Sequence, residues 1–371
     1  MHTIAQLMSF QPKTTRTFDV FLLELTENLL ERGWRSVYVF SGEPEEQFAR
    51  RLRDLEAVYY LSSFPLQWGP AFKLARQLRI HRPDVMQTTF MSAFDAPLWW
   101  LKLSIGAKRW VFADQTSGAG SEKFGLKRLV AKARGGLASL IIDEIIAVSG
   151  FVATRDVERN MLPRRKIRTI YNGTDLDRFH PGIGRTSVGD PFVIAFVGQL
   201  IPEKGVDLLF EAIRRLEDCE RSRVLVKVAG AGRMRDELMR IASRDLPGQV
   251  EFLGQVDDVP SLFRSADLAV FPSRWEEAFG LVTTEAMACG TPVITSDAGG
   301  FPELVGRDGR TGLTFRNGDA EALSGHIRAL LVDPDRFAAM GLAGREVAIK
   351  EFSLKRMVND YVSVYEQLIC G

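Results

Sequence analysis

Twice along this 371-residue chain, short runs rich in β-branched and aromatic residues alternate with longer stretches whose apolar residues recur at helical spacing. A chain patterned this way has few options: parallel strands, each followed by a crossover helix, in sheets covered by helices. In the first half the strand runs are Thr3–Met8, Ser36–Phe40, Ala57–Tyr60, Val85–Thr88, Arg109–Phe112, Ile145–Val148 and Ile167–Ile170. In the second they are Phe192–Val197, Arg223–Val228, Val250–Phe252, Leu268–Phe271 and Pro292–Thr295. Val20–Arg32 represents the helical stretches, with apolar residues at helical spacing and a stop at Gly33. His180–Pro191 breaks the alternation with Gly and Pro and no periodicity, so the linker belongs there. The expected fold is α/β, two tandem doubly wound Rossmann-like domains facing a cleft. They span 1–180 and 190–351, and a helix over 352–371 returns to the first domain.

Length points the same way, since one hydrophobic core rarely serves so many residues. With 46% apolar and 26% charged residues the composition is that of an ordinary soluble protein. Leu137–Val148 is the most apolar stretch, but Asp143 and Glu144 interrupt it, so it cannot span a bilayer. Ile4–Phe10 is too short and polar for a secretory leader and reads as a strand. Cys219, Cys289 and Cys370 show no metal spacing and suit a reducing compartment, so a cytoplasmic location is expected. The net charge of +1 conceals an imbalance. Residues 1–185 carry 27 Lys/Arg against 19 Asp/Glu, and residues 186–371 carry 21 against 28. An anionic surface or acceptor for the first half follows, as against chance scatter on solvated faces. No nucleic-acid module is recognisable, so no nucleic acid is expected.

The chemistry concentrates in Phe271–Ile294, which runs strand, loop, helix, strand. Its loop holds Glu276 and Glu277, and a helix starts near Phe279–Gly280 and ends at Gly290. Helix N-termini present backbone N–H groups and partial positive charge, which suits a phosphate. Gly280 leaves room for a ligand to approach the backbone. Glu277 precedes the helix and Glu285 lies about one and a half turns inside it. Such carboxylates suit sugar hydroxyls better than phosphates. Read alone, they fit equally a helix cap and a solvated face. A second stretch, Phe196–Leu209, follows a strand with Gly198 for a tight turn, Lys204 as a point charge and a helix from Gly205. It is a phosphate cradle or an ordinary βα loop with a surface lysine.

At these residues the chain resembles the retaining glycosyltransferases of family 4, which have the GT-B fold. Glu277 and Glu285 reproduce the Glu-x7-Glu spacing within Glu-Ala-Phe-Gly-Leu-Val-Thr-Thr-Glu-Ala-Met-Ala-Cys-Gly-Thr-Pro-Val, and Ser296–Glu303 continues the pattern. Val197–Gly205 looks like the family's first donor loop, and Tyr171–Phe179 resembles the segment closing the first domain. The resemblance implies a nucleotide-sugar donor, a UDP- or GDP-sugar, with no metal and no other cofactor. Glu277 with Ala278, Phe279, Gly280 and Leu281 would hold the donor sugar and phosphates, and Glu285 the ribose. Gly198 and Gln199 would line the first donor loop, and Lys204 would neutralise the diphosphate leaving group. The acceptor would be a saccharide, lipid-linked or polysaccharide precursor.

Two departures bear on the reaction. Gln199 stands where the family has an arginine, with Arg274 as the candidate replacement cation. Gln115 stands where related enzymes have a histidine, so Asp114 and Gln115 are candidates for the catalytic, sugar or acceptor-binding role. The family's glycine-rich first turn is replaced by Gln11–Arg16. A non-catalytic nucleotide-sugar-binding subunit is therefore the alternative, with a sugar-nucleotide epimerase or hydrolase third. Asp175-Leu-Asp177 reads as turn chemistry rather than a metal signature, and Gly230–Arg235 lacks the third glycine of a dinucleotide fingerprint. Glu122–Arg134 sets Leu126, Leu129, Val130 and Ala133 on one helical face and Lys123, Lys127 and Arg134 on the other. It is an ordinary domain helix or a contact for anionic headgroups at the inner membrane face.

Overall fold

The computed structural model describes residues 2–13, 17–118, 125–182, 191–306 and 308–370. It divides into two units, one of Met1–Gly173 with Leu354–Gly371 and the other of Thr174–Ser353. The expected boundary after residue 180 thus falls earlier, between Gly173 and Thr174.

Unit one begins β1 (His2–Met8), α1 (Thr17–Glu31), β2 (Trp34–Phe40), α2 (Glu46–Asp54), β3 (Val58–Leu61) and α3 (Trp68–Arg79). It continues β4 (Val85–Thr89), α4 (Ala96–Ile105), β5 (Arg109–Asp114), α5 (Gly125–Ile141), β6 (Glu144–Ala147), α6 (Gly150–Glu158) and β7 (Ile167–Thr169). All seven strands pair in parallel, in the order β3-β2-β1-β4-β5-β6-β7. The strand order reverses between β1 and β4, and right-handed crossovers then place α1 and α2 on one face and α3 to α6 on the other. Helix α5 is inverted relative to the sequence expectation. Residues 119–124 of that segment lie outside the described residues, and the side chains of Leu126 and Lys127 are not described. Among the rest, Ala131, Gly135 and Ala138 face inward, while Leu129, Val130, Ala133, Leu137 and Leu140 are exposed. The small residues allow close packing: a Cβ on Gly135 would lie 2.5 Å from Met161 O. No helix among the described residues is long and apolar enough to cross a membrane.

Unit two runs β8 (Phe192–Val197), α7 (Val206–Arg214), α8 (Asp218–Arg221), β9 (Val224–Ala229), α9 (Arg235–Asp245), β10 (Val250–Gly254) and α10 (Val259–Ser265). It goes on through β11 (Leu268–Phe271), α11 (Leu281–Ala288), β12 (Val293–Ser296), α12 (Phe301–Val305), β13 (Leu313–Phe315), α13 (Ala320–Val332) and α14 (Pro334–Glu351). Its parallel sheet has the order β10-β9-β8-β11-β12-β13. Strand β8 shows why the sheet lies inside: Phe192 to Phe196 are buried without alternation, as expected of a strand covered on both faces. Strand β13 escaped the sequence reading because its residues sit between Gly309, Gly312 and Gly318, where the chain reads as loop.

The last helix, α15 (Leu354–Cys370), belongs to unit one and packs on α1. Val358, Tyr361, Val362 and Tyr365 repeat at helical spacing and are buried with Phe21, Leu25 and Leu29 of α1. The Tyr365 hydroxyl donates to Gln87 Oε1 of β4. At about 1.5–3 kcal/mol per buried large apolar side chain, α15 is part of this core rather than an appendage.

Candidate functional site

In unit two the loops after β8 and β11 are sewn together by one carbonyl. Glu203 O accepts from Ser273 Oγ at 2.9 Å, Arg274 N at 2.8 Å and Trp275 N at 3.2 Å. Gly205 makes this approach feasible. It holds φ +69°, and a Cβ there would meet Pro272 O at 2.1 Å. The next residue opens α7, so Lys204 sits just before a helix N-terminus.

The loop after β11 carries Glu277, whose backbone bridges to Gly299 and accepts from Gly300 N at 2.9 Å. This fixed backbone aims a buried carboxylate at Lys204. Lys204 Nζ donates to Glu277 Oε1 at 2.5 Å, and Ser273 Oγ lies 3.0 Å from the same oxygen. The side chains of Lys204 and Glu277 are 29% and 11% exposed, so the pair is shielded yet open on the lysine side. Glu277 therefore does not merely cap the helix. Sequence reasoning missed Ser273, although a hydroxyl directly past a strand end and four residues before Glu277 was a usable signal.

Helix α11 begins one residue beyond Gly280, and no side chain caps it. Gly280 holds φ +104°, and a Cβ there would meet the Phe301 ring at 2.4 Å. Its missing side chain thus serves Phe301 packing as well as any approaching ligand. Leu281 is half-buried, whereas Ala278 and Phe279 are buried, with Phe279 edge-to-face on Phe352. These two contribute backbone and packing rather than exposed side chains. Glu285 is half-buried on α11, Gly198 is half-buried, and the Gln199 side chain is exposed. The candidate cation Arg274 is exposed and paired with an acid of α7. Its guanidinium makes a bidentate pair with Asp207 at 2.6 and 2.9 Å, and that carboxylate raises its pKa.

In unit one Asp114 ends β5 and is buried. Its Oδ2 accepts from Arg155 Nη2 at 2.7 Å, and its Oδ1 accepts from Thr116 N at 2.8 Å and Thr116 Oγ1 at 2.6 Å. Arg155 Nη1 also donates to Thr116 O and Gly118 O, at 2.7 and 2.8 Å. The expected catalytic or binding carboxylate is therefore occupied in shaping its own loop. Asp156, next to Arg155 on α6, is pushed up to about 8 by burial and by the neighbouring Asp114 carboxylate. Gln115 is likewise engaged: its Nε2 donates to Asn172 Oδ1 at 3.0 Å and its Oε1 accepts from Asn172 Nδ2 at 2.9 Å. Gln11, Pro12 and Lys13 are described, but residues 14–16 of the first turn lie outside the described residues. Asp175 Oδ1 accepts from the backbone N–H of Asp177 and Arg178, as turn chemistry requires.

Each half of the chain matches a family model. Residues 19–178 match Glycosyltransferase Family 4, and residues 184–347 match Glycosyl transferases group 1. A lipopolysaccharide core biosynthesis mannosyltransferase of Rhizobium meliloti is 33% identical over 62% of this chain and 66% of its own length. A D-inositol 3-phosphate glycosyltransferase of Catenulispora acidiphila is 36% identical over 54% of this chain and 52% of its own length. The matched part of the chain thus spans between half and two thirds of these relatives. An Anabaena protein crystallised with UDP, HepE, superposes with TM-score 0.81 at 20% identity, covering 99% of this chain and 100% of that one. Sucrose-phosphate synthase of Thermosynechococcus elongatus superposes with TM-score 0.72 at 21% identity over the full length of both chains. The fold is GT-B.

Proposed function

From the premise that both halves of the chain match glycosyltransferase family models, we propose that it transfers a sugar from a nucleoside diphosphate donor bound by unit two. One observation carries the reading: Lys204 and Glu277 are already paired beside the uncapped start of α11. An ammonium has three donors, so Lys204 can keep Glu277 while offering another N–H to a diphosphate. The N–H groups opening α11 supply a second, fixed positive end. Together they stabilise the negative charge that grows on the departing diphosphate, without a metal ion. Glu277, held by Lys204 and Ser273 at one oxygen, keeps its other oxygen for donor-sugar hydroxyls, and Glu285 takes the ribose. Transfer retains the anomeric configuration, the donor is a UDP- or GDP-sugar, and the acceptor is a saccharide or lipid-linked precursor.

A second reading, donor binding without transfer, is favoured by the engagement of Asp114 and Gln115 with Arg155 and Asn172. Calorimetry with a panel of nucleotide sugars, coupled to an assay for released nucleoside diphosphate, separates the two. Wild type should bind one donor and release diphosphate with a saccharide or lipid-linked acceptor, and Glu277→Ala should abolish release. Full release by Glu277→Ala would contradict the donor assignment, and binding with no release for any acceptor class would establish the second reading.

A further inference from the structure

The chain enters unit two at Thr174 and leaves it at Ser353, and these two residues pair as an isolated parallel bridge. Thr174 N donates to Phe352 O at 2.7 Å. Each side of this bridge reaches helix α11.

On the entry side the link is a hydroxyl. Thr174 and Thr284 are fully buried, and their Oγ1 atoms lie 2.7 Å apart. Thr284 Oγ1 in turn donates to Leu281 O at 2.9 Å, within the first turn of α11. A hydroxyl carries one hydrogen, so with Thr284 committed to Leu281 O it is Thr174 that donates to Thr284. The relay therefore runs one way, from the entry residue into the helix. In an α-helix Leu281 O is also the carbonyl towards which the N–H of Glu285 points. The relay ends on the turn that carries the carboxylate expected at the ribose.

On the exit side the link is a ring. Phe352 stands edge-to-face on Phe279, with centroids 5.7 Å apart and planes at 80°, and both are buried. Phe279 directly precedes Gly280, from which α11 opens. At the other end of the helix, Arg345 of α14 donates to Ala288 O at 2.5 Å and to Phe179 O at 2.9 Å. A cation there suits the negative end of the helix dipole. These contacts use a ring, hydroxyls and carbonyls. None of them uses the N–H groups of Leu281 and Val282, which lie at the end of α11 where an anion is favoured.

Stability alone gives little reason for buried hydroxyls here. Valines would fill the same space with no polar atom to satisfy, and a hydrogen bond between two neutral groups offsets little more than their desolvation. What a bonded pair adds is direction, since it fixes one arrangement of the groups it joins.

We infer that the Thr174–Ser353 bridge positions the first turn of α11, with Thr174 as a positioning residue that acts on a bound nucleoside diphosphate only through Thr284 and Leu281. The inference rests on the reading of α11 as the diphosphate site of the donor.

Calorimetry of the full chain with UDP and with GDP tests it. Thr174→Val removes the hydroxyl and keeps the branched side chain. It should weaken the nucleotide that wild type binds about fivefold, the size of a single hydrogen bond, and hydrogen exchange should quicken in α11 alone. Thr174→Ser should restore both. Thr174→Val added to Thr284→Val should bind no more weakly than Thr284→Val by itself, because the relay is already broken. Wild-type affinity in Thr174→Val, equal weakening by Thr174→Ser, or faster exchange throughout unit two would overturn the positioning role. Glu285→Ala distinguishes that failure from failure of the donor reading, because it should weaken nucleotide binding whatever Thr174 does. If Glu285→Ala bound as wild type does, or wild type bound neither nucleotide, the donor reading would fall and the positioning role with it.

Discussion

Strands β5 and β11 each end in a loop where an acid meets a cation, but the two pairs differ in what surrounds them. Asp114 and Arg155 are 5% and 6% exposed, and Thr116 of the local loop fills one carboxylate oxygen while Arg155 fills the other. Lys204 and Glu277 form an equally direct pair, yet the lysine keeps 29% of its surface. An ion pair enclosed on every side has spent its hydrogen-bonding capacity on the fold, whereas one open on a side still has donors for a ligand. Sequence proximity to a strand end does not distinguish these cases, because both acids sit where open α/β sheets bind ligands.

Arg155→Ala provides the largest test of the contrast. Removing one partner of a buried pair leaves Asp114 uncompensated beside Asp156, and the expected loss is about 3–5 kcal/mol of stability in urea unfolding. A loss below about 1 kcal/mol would mean that the β5 pair is not structural. Lys204→Ala should act on turnover instead, lowering diphosphate release about 100- to 1,000-fold, the range for losing one preorganised donor to a charged leaving group. Release at the wild-type rate would remove Lys204 from the reaction. The last test is pH. Burial and Asp114 raise the Asp156 carboxyl above its ordinary value, so the folded state binds its proton more tightly than the unfolded chain. That stability is present below the unfolded pKa of about 3.9 and declines as pH rises towards about 8. Unfolding across this window should show the decline, and Asp156→Asn, with Arg155, Asp114 and Asn160 unchanged, should flatten it. An unaltered slope in the variant would place the effect on other groups.

Much of the architecture was legible in the residues. Twelve strand runs were identified from apolar period and β-branched content, and each corresponds to a strand shifted by no more than a few residues. Strand β13 is hidden among Gly309, Gly312 and Gly318, and α5 reads inside out because Leu129 and Val130 outrank Ala131 and Ala138 on any apolar scale. Small residues face inward there because a backbone approaches, which helical periodicity does not record. The site is half legible. Its motifs point to Glu277 and Lys204, whereas nothing in them singles out Ser273 or shows that Arg274 is paired with Asp207.

The sequence by itself determined the alternation of strands and helices and the helix starts beside Lys204 and Glu277, because these depend on interactions within a few residues, and the alternation in turn implies parallel sheets. Tertiary structure alone decided which acids are consumed and which remain available, and which face of α5 meets water. Those outcomes depend on partners from 41 residues away for Asp114 to 73 for Glu277, and no local period encodes who arrives.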